Sequence, residues 1–153
     1  MTDRTDRKIL DILQHEGRIS NQQLADRVGI STAACWRRVR ALEDSGMIDG
    51  YHAHLNRNEL GLALCAFVHI SLSRHQKQST IDFESAVLKR TEVLECFATT
   101  GSADFILRVV TSDIQSFDAF LEDFLFNLNG IAQVHSNIAL RELKFGTTLP
   151  LVS

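Results

Sequence analysis

Three arginines fall within four residues, Arg37, Arg38 and Arg40, directly after a tryptophan, Trp36, and the small residues Thr32, Ala33 and Ala34. Guanidinium groups match guanine edges and phosphate oxygens, and small side chains let a helix lie close to a groove floor. The spacing places them on a helix. Cys35, Val39 and Leu42 stand at i, i+4 and i+7 and form one buried stripe. At 100° per residue the opposite face carries Ala33, Arg37 and Arg40, with Trp36 and Arg38 on its flanks. Such a helix suits a DNA major groove. Ser31 caps it, Thr32, Ala33, Trp36 and Arg37 are expected nearest the base edges, and Arg38 and Arg40 are expected on phosphates. An ordinary helical hairpin with a solvated basic face is the other reading of the same residues.

The helix needs a support that fixes its angle. Ser20 and Gln23 have capping-box spacing, Leu24 and Val28 repeat at i and i+4, and Gly29 supplies the positive φ that ends a short helix. This helix and the arginine helix together have helix-turn-helix spacing. Residues 5–16 form a further helix with the stripe Ile9, Leu10, Ile12 and Leu13, stopped by Gly17. Met47 to Leu55, with Asp49-Gly50 as a turn, reads as a short ribbon or a strand leaving this winged-helix-like module. The expected DNA-binding domain is therefore 1–55, followed by a polar linker, 56–61.

Beyond Gly61 the hydrophobic period changes from 3.6 to 2. Strands are expected at 62–73, 93–100, 105–111 and 134–143, with helices at 79–90 and from Ser112, where Gln115 repeats the capping-box spacing. The second helix presents Phe117, Phe120, Leu121, Phe124 and Leu128 and ends at Asn129-Gly130. The order β-α-β-β-α-β predicts an α+β unit over 62–153, a ferredoxin-like sheet covered on one face by two helices. In its first strand Ala66, Val68, Ile70 and Leu72 point one way, and Cys65, Phe67, His69 and Ser71 the other. A solvated face should alternate cleanly with polar residues, so a half-apolar second face points to another subunit.

Composition removes several classes. The net charge is −3, with nine basic and nine acidic residues up to Gly61 and seven basic against ten acidic after it. DNA binding must then rest on local arginines multiplied by dimerisation. Cys35, Cys65 and Cys96 stand singly in apolar segments, as small core residues of a reduced protein. The polar start MTDRTDRK is no signal peptide and no apolar run of membrane-spanning length occurs, so the expected site of action is the cytoplasm, with no membrane partner. Three other classes fit the sequence less well. An RNA-recognition module needs exposed aromatics on its central strands, and Phe105 to Val110 lacks the basic-Gly-aromatic pattern. A metal-sensing repressor needs clustered ligands, whereas His52 and His54 are the one close pair and His69 is distant. An enzyme needs a nucleophile elbow, a phosphate loop or paired carboxylates; none is present and Asp104 has no histidine beside it in sequence. No cofactor or metal is expected.

The run GRISNQQLADRVGIS…CWRRVRALEDSGMIDGYHAHLN resembles the leucine-responsive/asparagine-operon (Lrp/AsnC) family of transcriptional regulators, and TGSADFILRV with IALRELK resembles its ligand-binding half. The resemblance spans essentially the whole chain. It implies a DNA-binding regulator whose binding or assembly responds to a small effector, usually an amino acid. It further implies a homodimer built through the sheets, often assembled into tetramers or octamers. Thr32 stands where many members carry proline, and either residue suits a helix start. The effector site it implies lies between dimers: the loop Thr100-Gly101-Ser102-Ala103-Asp104 meets residues of a neighbouring dimer, and Asn137, Ile138 and Ala139 match final-strand positions tied to the family's response. Asp104 would take the ammonium and free N–H groups near Gly101 the carboxylate. Many members carry an acidic and an aromatic residue where Ser102 and Ala103 stand, so a roomier pocket for a medium-to-large apolar amino acid is expected. Without the resemblance the same loop reads as a plain hairpin turn.

Overall fold

The computed structural model describes residues 3–73 and 77–151, so the outer ends of the two expected domains, at 1 and 153, lie outside the described residues. The chain divides into two units. One comprises the residues up to His54 together with those from Lys144 onward, and the other is Leu55–Leu143.

The first unit is the three-helix module. Helix α1 (Arg4–His15) starts at Asp3, whose carboxylate accepts the Asp6 amide while Asp6 reciprocates. Helix α2 (Asn21–Val28) is capped by the Ser20–Gln23 box and ends at Gly29, with φ 84°. Helix α3 (Thr32–Asp44) is capped by Ser31, which accepts from the Ala34 amide at 3.3 Å. Ile9, Leu24, Ala25, Cys35 and Leu42 form the buried centre. The expected ribbon at 47–55 is absent: no strand is assigned there. The Met47 and Ile48 amides both bond to Leu42 O, closing α3, and among the described residues no second segment pairs with this one. Segment 56–61 is a hydrogen-bonded turn in which Asn56 Oδ1 accepts from the Asn58 amide at 3.1 Å. The final segment departs from the expected 62–153 unit. Gln14 Nε2 donates to Leu149 O at 3.1 Å and Gln14 Oε1 accepts from the Leu149 amide at 2.9 Å. His54 and Phe145 stack with ring centroids 4.7 Å apart.

The second unit is the α+β sandwich. Strands β1 (Leu64–Leu72), β2 (Val93–Ala98), β3 (Phe105–Thr111) and β4 (Ile131–Ile138) form one antiparallel sheet in the order β2-β3-β1-β4. Helices α4 (Lys77–Val87) and α5 (Ile114–Asp123), with a 3-10 turn at Leu125–Asn127, complete the β-α-β-β-α-β order. Ala66, Val68, Ile70, Leu107 and Val109 are fully buried against Phe83, Phe117 and Phe120. Burying each large side chain is worth roughly 1.5–3 kcal/mol, so these strands and helices hold one another directly. Several boundaries moved. Helix α4 lies at 77–87 and not 79–90, and α5 ends at Asp123, ahead of the 3-10 turn and not at Asn129-Gly130. The strands expected at 62–73, 93–100 and 134–143 are 64–72, 93–98 and 131–138. Helix α5 is capped by Asp113 and not Ser112, because Asp113 Oδ1 accepts from the Ser116 amide at 2.8 Å. The last strand ends at Ile138, beyond which a single bond, Ala139 N–H to Cys65 O at 2.8 Å, continues the ladder.

The helix-free face behaves as expected from the sequence. Phe67 is 40 % exposed and Phe97 58 % exposed, while Ile106 and His69 are half-buried. The register aligns Phe67 with Arg108 and Asn137, and His69 with Ile106 and His135.

Candidate functional site

In the first unit, α3 presents the expected face. Ala33, Trp36, Arg37 and Arg40 are exposed, opposite buried Cys35 and Leu42. Burial pushes the Cys35 thiol up, so it is a packing group and not a nucleophile. The start of α3 is braced by α2. Thr32 Oγ1 donates to Gln22 Oε1 at 2.8 Å and Asn21 Nδ2 donates to Thr32 O at 3.0 Å. Arg40 makes an i, i+3 pair with Glu43 at 3.3 Å and keeps 60 % of its side chain exposed. Such an exposed pair is easily exchanged for another anion.

Arg38 is paired within the unit. Its Nη1 donates to Asp3 Oδ2 at 2.8 Å and to Asp6 Oδ1 at 2.7 Å. Hydrogen bonding by Asp6, then Asp3, raises the guanidinium above its ordinary range. The Asp6 amide, and then Arg38, hold the Asp3 carboxyl below the usual carboxylate range. The sequence places Arg38 on the flank of the arginine face but gives no sign of partners more than thirty positions away.

In the second unit, the loop between β2 and β3 borders an open depression of about 580 Å³, lined by His69, Ala98, Thr99, Thr100, Ser102, Ala103 and Ile106. His69, Ala98, Thr99 and Ile106 were not among the expected site residues. Their signal is strand alternation: His69 and Ile106 are register partners on the helix-free face at the end where the loop turns. Gly101 has φ 121°, a backbone only glycine adopts comfortably. Thr99 Oγ1 donates to Ala103 O at 2.8 Å and Ser71 Oγ donates to Ser102 O at 3.1 Å. Asp104 is part of this framework. Its Oδ2 accepts from the Leu72 amide at 2.7 Å and its own amide donates to Ile70 O at 2.8 Å, leaving Oδ1 without a bond among those resolved.

The two halves of the expected effector site do not meet within one chain. The loop is tied to Ile70 and Leu72, whereas Asn137 is opposite Phe67 and Ile138 opposite Ala66. Three to six residues along a strand correspond to roughly 10–20 Å.

Residues 65–149 match the model of the Lrp/AsnC ligand-binding domain, and residues 2–49 that of a winged helix-turn-helix DNA-binding domain. The chain belongs to the Lrp/AsnC family of transcriptional regulators. Among its Lrp/AsnC relatives, the transcriptional activator DecR of Escherichia coli is 34% identical, with 99% of each chain covered. The leucine-responsive regulatory protein of Klebsiella pneumoniae is 39% identical over 93% of this chain and 87% of its own. A transcriptional regulator of Neisseria meningitidis, solved in complex with L-methionine, superposes with a TM-score of 0.94 at 40% identity, covering 99% of this chain and 97% of that one. The two domains are a DNA-binding helix-turn-helix and an α+β ligand-binding domain. No helix among the described residues is long and apolar enough to cross a membrane.

Proposed function

We propose that this Lrp/AsnC regulator reads double-stranded DNA in the cytoplasm through α3 and responds to an apolar amino acid at the β2–β3 loop, without catalysing a reaction. The observation that carries the DNA reading is the exposed row Ala33, Trp36, Arg37 and Arg40 set opposite the buried Cys35 and Leu42. Thr32, Ala33, Trp36 and Arg37 face base edges, and Arg40 exchanges Glu43 for a phosphate. Ser31 holds the helix start. Fluorescence anisotropy on an operator enriched from random duplexes tests this. Arg37→Ala costs roughly 1–3 kcal/mol of discrimination against a scrambled duplex. Arg40→Ala weakens all duplexes alike and lowers the salt slope by about 0.9. Unchanged binding in both variants rejects α3 as the reading helix.

The working unit is at least a dimer, formed through the helix-free sheet face that carries Phe67 and Phe97, with tetramers or octamers built from it. Its paired helices reach half-sites roughly 34–36 Å apart or a multiple of that. A monomeric mass by light scattering at micromolar concentration refutes this. A neighbouring dimer gives the effector its second wall. Thr100, Gly101, Ser102, Ala103 and Asp104 of one chain face the region of Asn137, Ile138 and Ala139 of another, which accounts for their separation within one chain. The L-methionine in the Neisseria relative is of the expected size class. A thermal-shift screen of the common amino acids tests the pocket, and no response to any of them rejects it.

A further inference from the structure

Arg38 follows Arg37 directly, yet its guanidinium is committed inside the first unit. Each of the four carboxylate oxygens of Asp3 and Asp6 accepts a hydrogen bond. Asp3 Oδ1 accepts from the Asp6 amide at 2.8 Å and Asp6 Oδ2 from the Asp3 amide at 3.3 Å. The remaining two oxygens converge on one Arg38 nitrogen at 2.8 and 2.7 Å. Moving Arg38 to a DNA phosphate would break two charge-assisted bonds and leave two adjacent carboxylates uncompensated beside a polyanion. The apolar contact of α1 with α3 is made further along, where Ile9 packs in one core with Cys35 and Leu42. Beside the clamp is an open depression of about 580 Å³, lined by Asp6, Ala34, Arg37, Arg38, Ala41 and Met47 among others. At this edge the polar bridge ties Asp6 of α1 to Arg38 of α3.

We propose that Arg38 is a positioning residue for operator recognition: clamped by Asp3 and Asp6, it fixes α3 against the start of α1 and thereby sets the pose of Arg37. The inference rests on the reading of α3 as the DNA-reading helix. It makes the acidic residues Asp3 and Asp6 contributors to specificity, although each alone repels DNA. That sign is opposite to the one expected if Arg38 were a phosphate contact held back by two acids.

The test uses the full chain, its selected operator, a scrambled duplex and a series of salt concentrations, with melting midpoints recorded for every variant. Arg38→Met is expected to lower the operator-to-scrambled ratio roughly tenfold, mid-range for coupled contacts. Its salt slope stays that of the parent. Asp3→Asn with Asp6→Asn is expected to lower the ratio similarly despite removing two negative charges. Combining both sets gives no further loss, and Arg38→Lys, which keeps a charged donor, recovers most of the ratio. A slope reduced by about 0.9 in Arg38→Met identifies a phosphate contact and overturns the proposal. So does an unchanged or raised ratio in the asparagine pair, or a lowered melting midpoint with the ratio intact. If Arg38→Met does not fold, the asparagine pair and Arg38→Lys decide by the same ratio. A parent chain with no operator preference overturns the DNA reading and this proposal together; preference in the parent with any of the earlier failures overturns this proposal alone.

Discussion

Asp104 can be separated into a structural half and a ligand-facing half by two substitutions. Its Oδ2 accepts from the Leu72 amide at 2.7 Å, and this bond ties the β2–β3 loop to the end of β1. A bond to a charged acceptor is worth about 1.5–3 kcal/mol. Asp104 is exposed and Leu72 half-buried, so water replaces part of the loss in Asp104→Ala. The expected cost is then about 1–2 kcal/mol, lowering the unfolding midpoint of a domain this size by roughly 5–15 °C. Asp104→Asn keeps an oxygen acceptor in place and should recover more than half of that loss. The two variants part on ligand. If Oδ1 receives the ammonium of an amino acid, Asp104→Asn keeps its fold and loses the ligand-induced thermal shift. Urea denaturation followed by far-UV circular dichroism gives the stability, and thermal shift with the best amino acid gives the response. Asp104→Ala within 0.3 kcal/mol of the parent, a threshold set well below the ~1 kcal/mol of an ordinary hydrogen bond, refutes the structural half. A full ligand response in Asp104→Asn refutes the other.

Gly130 has φ 87°, and a methyl there would overlap the buried Ser79 side chain, so Gly130→Ala should cost roughly 2–4 kcal/mol, with Ser79→Gly recovering only the steric part. A cost equal in the presence and absence of Ser79→Gly in chemical denaturation would contradict the packing. The Ser116 amide holds the Asp113 carboxyl below its ordinary 3.8. A depressed folded pKa adds stability that is present above that value and lost as pH falls through the folded pKa. The midpoint gap between the parent and Asp113→Ala should therefore be open at pH 7 and close in strong acid, as a pH series of thermal melts will show. Maleimide labelling of the native chain should reach exposed Cys96 first, leaving buried Cys35 and Cys65 intact. Partial desolvation against its neighbours, then the Glu84 charge, raises the Cys96 thiol even though the residue is exposed, so its rate should keep climbing above pH 9.0.

What the sequence revealed was local. Helices α2 and α3 end where Gly29 and Ser45-Gly46 interrupt their stripes, and β3 runs from Phe105 to Thr111 as its alternation predicts. The errors arose where a pattern allowed two partners. Ser112 and Asp113 are both good caps, and the Asp113 carboxylate accepts from the Ser116 amide. Alternation from Val134 to Leu143 resembles a strand, but β1 pairs with residues from Ile131, and the bulge at Ser71–Leu72 absorbs the offset. The face of Arg37 was readable from helical phase alone. The Arg38 clamp depends on a loop-spanning approach of α1 and α3, which no periodicity encodes.

The reciprocal pair between Gln14 and Leu149 gives the chain an unusual thread. A polypeptide that leaves the helical unit after His54 re-enters it at Lys144, so Leu55–Leu143 is, topologically, an insertion. A protease nick within Asn56–Gly61 would therefore not release a free helix-turn-helix fragment. The piece bearing α1 would keep its hold on the far end of the other through Leu149 and the His54–Phe145 stack. The chain is sewn at two places where a simple two-domain linker would be sewn at one.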